Sequence, residues 1–345
     1  MTQFIQLHVL TSYPPSNVNR DDMGRPKTAR MGNTERLRIS SQSLKRHWRT
    51  SDVFEQALAG HLGTRTKRLG HDVYKRLLEG GLKDKEASEI ASMIADQFGK
   101  VSTKRAHEIE QLVHISPAEQ QAINDLVTQV IGSKTKPNDA DLVLLKKDNM
   151  AVDIALFGRM LASKPEQNID AACQVAHAIS VQQVVIEDDY FTAVDDLQNL
   201  DDSAGAAHIG ESNFASAVFY EYICINKDLL LENLNGNEDL ANKALVALTE
   251  AIATVSPSGK QNSFASRAFA SFILAEKGTD QPRSLSVAFL KAINTDNVLP
   301  DAIDSLIAHQ QKFNQVYGST NTDYQMDVEH DKGALKELQE FVTKS

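Results

Sequence analysis

Arg36–Arg49 reads RLRISSQSLKRHWR, and its hydrophobic period changes partway along. Through Ile39 the residues alternate, with Leu37 and Ile39 on one side and Arg36 and Arg38 on the other, as in a strand. From Ser41 the period lengthens to that of a helix, with Leu44 and Trp48 one turn apart and Ser40 or Ser41 available as N-cap, which predicts a helix to about Ala59. A strand feeding a capped helix is a building unit of an α+β sheet domain.

The same stretch is rich in positive charge and hydroxyls. Gln42, Lys45 and Arg49 fall at i, i+3 and i+7 and share a helix face that Leu44 and Trp48 do not. Cationic side chains, hydroxyls and the open backbone N–H groups of a helix start suit phosphate. The plain alternative, a solvated helix face with a good cap, is equally compatible with the pattern. The preceding segment sets Arg20, Arg25, Lys27 and Arg30 among Asn, Gly and Pro, a loop able to follow a polyanion or to be without function.

Charge is unevenly spread over the 345 residues. The net charge is −10, yet residues 1–50 carry nine Arg or Lys against three Asp or Glu, so the rest is strongly acidic. That excludes a protein coated by nucleic acid on all sides and suits one binding a polyanion along a single surface. Apolar residues make up 41% of the chain, enough for an ordinary core. No apolar run approaches the roughly 20 residues of a membrane span, and MTQFIQLHVL lacks a leader's pattern, so the expected location is cytoplasmic with no membrane partner. Cys173 and Cys224 stand apart, with no CxxC, HExxH or Cys/His cluster, and are expected to be buried thiols. No metal or cofactor is expected.

Further along the chain, residues 3–10, QFIQLHVL, are apolar at nearly every position, as in a central strand. Residues 11–35 hold too many breakers for helix or strand. Residues 60–150 are a run of helix candidates, read as a helical insertion. VDIALFGRM (152–160) resembles a strand, NIDAACQVAHAIS (168–180) an amphipathic helix, and VQQVVI (181–186) another strand. Residues 190–226 read as two β arms around a polar tip, forming an extended hairpin. Residues 238–255 predict a helix, SFASRAFASFILAE (263–276) a strand, and the tail after Asp331 a short helix. Strands returning antiparallel between helices suggest a ferredoxin-like or RNA-recognition-type sheet enlarged by insertions.

Catalytic constellations are missing from the sequence: there is no GxSxG, P-loop or GxGxxG, and His8, His47, His177 and His208 are isolated. Asp21 and Asp22 could hold a divalent metal only with further carboxylates from elsewhere. As a pair they suit a turn cap or a partner for Arg20.

FIQLHVL with NVNRDDM, then RLRISSQSLKR, DIALFGRM, AHAIS, FTAVDDLQ with AHIG, and the VFYEY arm resemble, in order over residues 4–226, the CasC family, the backbone subunit of the type I-E CRISPR Cascade complex. The resemblance implies an RNA-recognition-type palm (1–59 and 151–345), helical fingers (60–150) and a β-hairpin thumb (190–226). It further implies a non-catalytic subunit whose copies assemble along guide RNA with other Cascade subunits. One nucleotide in every six is then kinked out, and the others are presented for pairing with target DNA. On matching positions it implies backbone contacts from Arg20, Lys27, Ser40, Gln42, Lys45, Arg46 and Arg49, a wedge at Met160, and thumb contacts from Phe191, Thr192 and Ile209. The longer, acidic thumb tip NLDDSAGA departs from the family pattern. Relatives in type III effector complexes cut RNA with an acidic loop residue, which makes a metal-dependent ribonuclease using Asp21 or Asp22 the alternative.

Overall fold

The computed structural model describes residues 2–146, 150–193 and 208–344. Its strands are β1 (Phe4–Ser16), β2 (Thr28–Met31), β3 (Thr34–Ile39), β4 (Thr64–Thr66), β5 (Val113–Ile115), β6 (Cys173–Val175), β7 (Ala178–Ser180), β8 (Glu187–Ala193), β9 (His208–Asn226), β10 (Ala270–Gly278) and β11 (Thr322–Asp327). Its α-helices are α1 (Ser41–Arg49), α2 (Asp52–Ala57), α3 (Leu69–Glu79), α4 (Asp84–Asp96), α5 (Pro117–Ser133), α6 (Val152–Phe157), α7 (Lys227–Asn233), α8 (Glu238–Thr254), α9 (Gln261–Phe264), α10 (Val298–Tyr317) and α11 (Leu335–Thr343). Helices and an antiparallel sheet make this an α+β protein. Among the described residues no helix is long and apolar enough to cross a membrane.

The chain divides into two compact units, one of Met1–Phe54, Val175–Cys224 and Leu245–Ser345, the other of Glu55–Gln174 and Ile225–Ala244. The first is built on a nine-stranded sheet of order β11-β10-β1-β9-β7-β3-β2, with β6 and β8 also pairing with β9. β1 lies inside it, as its largely apolar run predicts, and Ile5, Leu7, Val9 and Leu10 are fully buried. On one face Phe272, Leu274, Tyr220 and Phe289 pack with Ala302, Ile303 and Leu306 of α10. This unit also buries a polar network around His8 and Glu276. His8 Nε2 lies 3.1 Å from Glu276 and its Nδ1 2.9 Å from the Tyr220 hydroxyl, while Arg283 holds both Glu276 oxygens at 2.9 and 3.0 Å. Burial pushes the Glu276 carboxyl up, but the bonds from His8 and Arg283 outweigh it and hold it at about 2. Burial lowers His8, so the ring is neutral.

The second unit packs α3, α4 and α5 through Val73, Leu77, Ile90, Ile94, Ile123 and Val127, with β4 and β5 as a two-stranded ribbon. Ser116 and Glu119 form a capping box at α5. Glu119 also takes a buried ion pair from Arg159 at 2.7 Å.

Several expectations fail. Residues 152–160 are a helix followed by a turn, not a strand: α6 is buried from Val152 to Leu156, and a short apolar run has no period to separate the two forms. Residues 168–180 form β6 and β7 instead of a helix, because both segments pair with β9. Residues 181–186 contain no strand beyond a single bridge from Gln182 to Ile293. The breaker-rich segment after β1 holds a strand of its own. β2 and β3 form a hairpin closed by Gly32 and Asn33, whose φ of 57° and 69° match a two-residue primed turn. A Gly-Asn pair between two short runs is a signal for such a turn. In addition, β10 begins only at Ala270, and Gln261–Phe264 ahead of it is helical. Cys173 and Cys224 are buried, as expected.

Candidate nucleic-acid interface

The loop between β1 and β2 is pinned at many points. Asn17 Nδ2 donates to the carbonyls of Gly24 (2.9 Å) and Asn213 (2.8 Å), and Asp21 Oδ1 accepts from the backbone N–H groups of Met23 and Arg25, both at 2.9 Å. Lys27 N–H donates to Asn19 O, and Arg38 N–H to Lys27 O. Asn19 Oδ1 accepts from Ser40 N–H at 2.9 Å, which ties the loop to the start of α1. The basic loop is therefore held in one conformation, and Asp21 acts as its turn cap.

α1 starts as its sequence predicts, with Ser40 as N-cap accepting from Ser43 N–H at 3.4 Å and with Leu44 and Trp48 buried, but it ends at Arg49, and a second helix, α2, covers Asp52–Ala57 in place of one helix to about Ala59. The capping bond uses one acceptor site of the Ser40 hydroxyl and leaves its O–H as a donor, although the residue is only 7% exposed. Arg20, Gln42 and Arg46 are exposed, while Lys27, Lys45 and Arg49 are half-buried. Trp48 and Leu44 anchor the helix, and the Gln42–Lys45–Arg49 face is turned away from that anchor.

One residue outside the basic first fifty joins this group. Arg38 Nη1 lies 3.1 Å from His177 Nδ1, while Arg38 Nε donates to Thr28 O. The His177 pKa is lowered, first by partial burial and then by the positive charges of Arg38, Lys27 and Lys45. Cations from a loop, a strand and a helix thus converge on one histidine, an electropositive patch that favours an anion. Reading 168–180 as a helix gave His177 no special place. Only its position directly before β7, which pairs with β3, brings it here.

Arg36 is the reverse case. The sequence places it with Arg38 as a phosphate ligand, but its side chain is 0% exposed. Its Nη1 donates to the carbonyls of Ser180 (2.9 Å) and Val181 (2.7 Å), Nη2 to Phe289 O (3.0 Å), and Nε to Thr34 Oγ1 (2.7 Å). It clamps the sheet and cannot reach a ligand.

In the second unit, Met160 is 78% exposed. Arg159 exchanges backbone hydrogen bonds with Ile169, and Leu161 N–H donates to Asn168 Oδ1, so the thioether stands on a braced turn. Gly158, at φ 77°, supplies the left-handed step that turns the chain out of α6. Lys136, also in this unit, forms a half-exposed ion pair with Glu89.

The two β arms are present as β8 and β9, antiparallel in register from Glu187↔Phe214 to Ala193↔His208. Phe191 lies opposite Gly210, whose missing Cβ makes room for the ring, and remains 44% exposed. Thr192 is exposed and pairs with Ile209 through the backbone. The tip NLDDSAGA lies outside the described residues.

A family model for CT1975-like proteins matches residues 5–344. This chain belongs to the CT1975-like family. No curated protein matches it. Among solved structures, this CT1975-like protein is similar to a chain of a CRISPR RNA-guided surveillance complex, pre-nicking, at 29% identity over 99% of each chain with a TM-score of 0.85. It is also similar to a chain of a CRISPR RNA-guided surveillance complex at 25% identity, covering 99% of this chain and 98% of the other, with a TM-score of 0.63.

Proposed function

We propose that this CT1975-like protein is a Cascade-type subunit that binds CRISPR guide RNA, and specifically a CasC-like backbone subunit of a type I-E complex. In this reading several copies assemble along the guide, hold its phosphates without regard to base, kink it at intervals and present the rest for pairing with target DNA. The sheet unit serves as palm, the helical unit as fingers, and β8 with β9 as thumb. The observation that carries it is the convergence of Lys27, Arg38 and Lys45 on His177 beside the Ser40-capped helix. Such a patch binds phosphate and leaves base identity unread. The full-length likeness to chains of RNA-guided surveillance complexes supports the same reading.

Arg20, Lys27, Ser40, Gln42, Lys45, Arg46 and Arg49 then line the backbone track, Met160 wedges between nucleotides, and Phe191, Thr192 and Ile209 meet the displaced one. The protein acts as a scaffold and not as an enzyme. Asp21 serves the turn it caps, which supports that view.

Neutralising Lys45 and Arg49 together is expected to weaken binding of unrelated RNA sequences equally. The slope of log affinity against log salt should flatten by roughly 0.7 for each lost phosphate contact. An unchanged slope would overturn the assignment. With Mg²⁺ and RNA paired to the guide, specific cleavage abolished by Asp22→Ala would replace the scaffold with a ribonuclease.

A further inference from the structure

Beside Arg38 the sheet unit has a cavity of about 200 Å³, lined by Met31, Ala176, His177, Ile179, Tyr220, Ser284, Ser286 and Phe289. The register explains its place. Arg38 pairs with Ile179 and Ile179 with Tyr220, so these three side chains share one face, and Met31, opposite Thr34, falls on the same face as Arg36 and Arg38. The cavity is smaller than the roughly 300 Å³ at which sites for drug-sized ligands begin, so it suits one planar ring better than a whole nucleotide. Its walls are mostly apolar, with a thioether, an aliphatic chain and two aromatic rings, and its polar groups are the His177 imidazole and the hydroxyls of Ser284 and Ser286. The Tyr220 hydroxyl is already engaged by His8 and by Leu285 N–H, Ser284 Oγ accepts from Ser286 N–H, and His177 Nδ1 faces Arg38, so much of the polar lining is already engaged within the protein.

We propose that this cavity receives one unpaired base of the RNA strand, the ring lying against His177, Met31 and Phe289 while its phosphate rests on Lys27, Arg38 and Lys45. The proposal depends on the RNA-binding reading above and adds a base site to its phosphate track. An apolar side chain of a protein partner would fill the same volume, but His177, which lines the cavity, touches Arg38 at 3.1 Å and feels the positive charge of Lys27 and Lys45, which favours a ligand that carries negative charge. The larger cavity beside Arg283, Phe313 and Tyr317, about 410 Å³, lacks this feature, because Arg283 is held on both oxygens of Glu276. A pocket whose faces are mainly apolar and aromatic holds a base chiefly by stacking, which every base can do, as a subunit serving many guide sequences requires.

The test uses the full-length protein assembled on guide RNA carrying 4-thiouridine at one position at a time, irradiated and mapped by mass spectrometry. Crosslinks to peptides containing Met31, His177 or Phe289 are expected at particular positions only. Ser286→Trp, which fills the cavity and leaves every cation in place, should cut that crosslink at least about fivefold, the lower end of what one base stack contributes. RNA retention on a filter should stay nearly unchanged. Ala176→Phe fills the cavity from another wall and is read in the same way should Ser286→Trp not fold. RNA retained without crosslinks to these peptides, or crosslinks indifferent to both substitutions, overturns the base site alone. Loss of self-association with RNA binding and crosslinks intact marks a protein-docking pocket and also overturns it. Failure of the wild type to retain RNA instead overturns the reading on which the site rests.

Discussion

Glu221 offers a quantitative check on the sheet unit. It lies in β9, between Tyr220 and Tyr222, and is 7% exposed. Its Oε1 has no hydrogen-bond partner among the described residues. Burial without compensation raises its pKa from 4.5 to about 8. The folded protein therefore holds a proton at neutral pH that the unfolded chain has released, so this group's contribution is fully present below pH 4.5 and is lost as pH rises toward 8. Between pH 5 and 7.5 the loss amounts to about 3 kcal/mol. Glu221→Gln keeps the shape and removes the titration. Urea unfolding of both proteins at pH 5, 6, 7 and 7.5 should show the variant gaining on the wild type by about 3 kcal/mol across the range. His8 acts with opposite sign, because its pKa is lowered by burial and its contribution grows as pH rises to 6.5, but it is common to both proteins and cancels in the difference. Parallel stability curves for variant and wild type would refute the argument.

Arg36→Ala should destabilise the fold by at least about 3 kcal/mol, since three buried carbonyls lose their donor. A stable variant that has lost RNA affinity would instead make Arg36 a ligand. Gly32→Ala places a Cβ 1.5 Å from the Leu290 carbonyl oxygen at a φ of 57°, so thermal unfolding should come earlier, by about 1 to 3 kcal/mol of stability or more. Unchanged melting would show that the β2–β3 turn can shift without cost. Met160→Ala, at a side chain 78% exposed, should leave stability within about 0.5 kcal/mol and alter only the nuclease sensitivity of the bound strand. A large loss of stability would assign Met160 to the core.

Local chemistry made much of this molecule legible. The switch of period at Ser40 marked the end of β3 and the start of α1, and the capping serine and the Leu44–Trp48 anchor followed from it. The apolar run of β1 marked a central strand, and the positive first fifty residues marked the side of the candidate site. Where a segment lacked its own period, the reading went wrong. VDIAL is buried on every side as a helix, and CQV and AIS are strands only because β9 runs beside them.

The sequence by itself determined caps, faces and the location of charge, because those depend on residues within a few positions of one another. Only the tertiary structure decided which charges are available. Arg36 and Arg38 alternate identically out of β3, yet carbonyls at Ser180, Val181 and Phe289, more than a hundred residues away, enclose one, while the other meets His177 at the surface. Side-chain direction is a local property of the strand. Whether the space it points into is filled by protein or left to solvent is set by distant segments, and no local pattern encodes it.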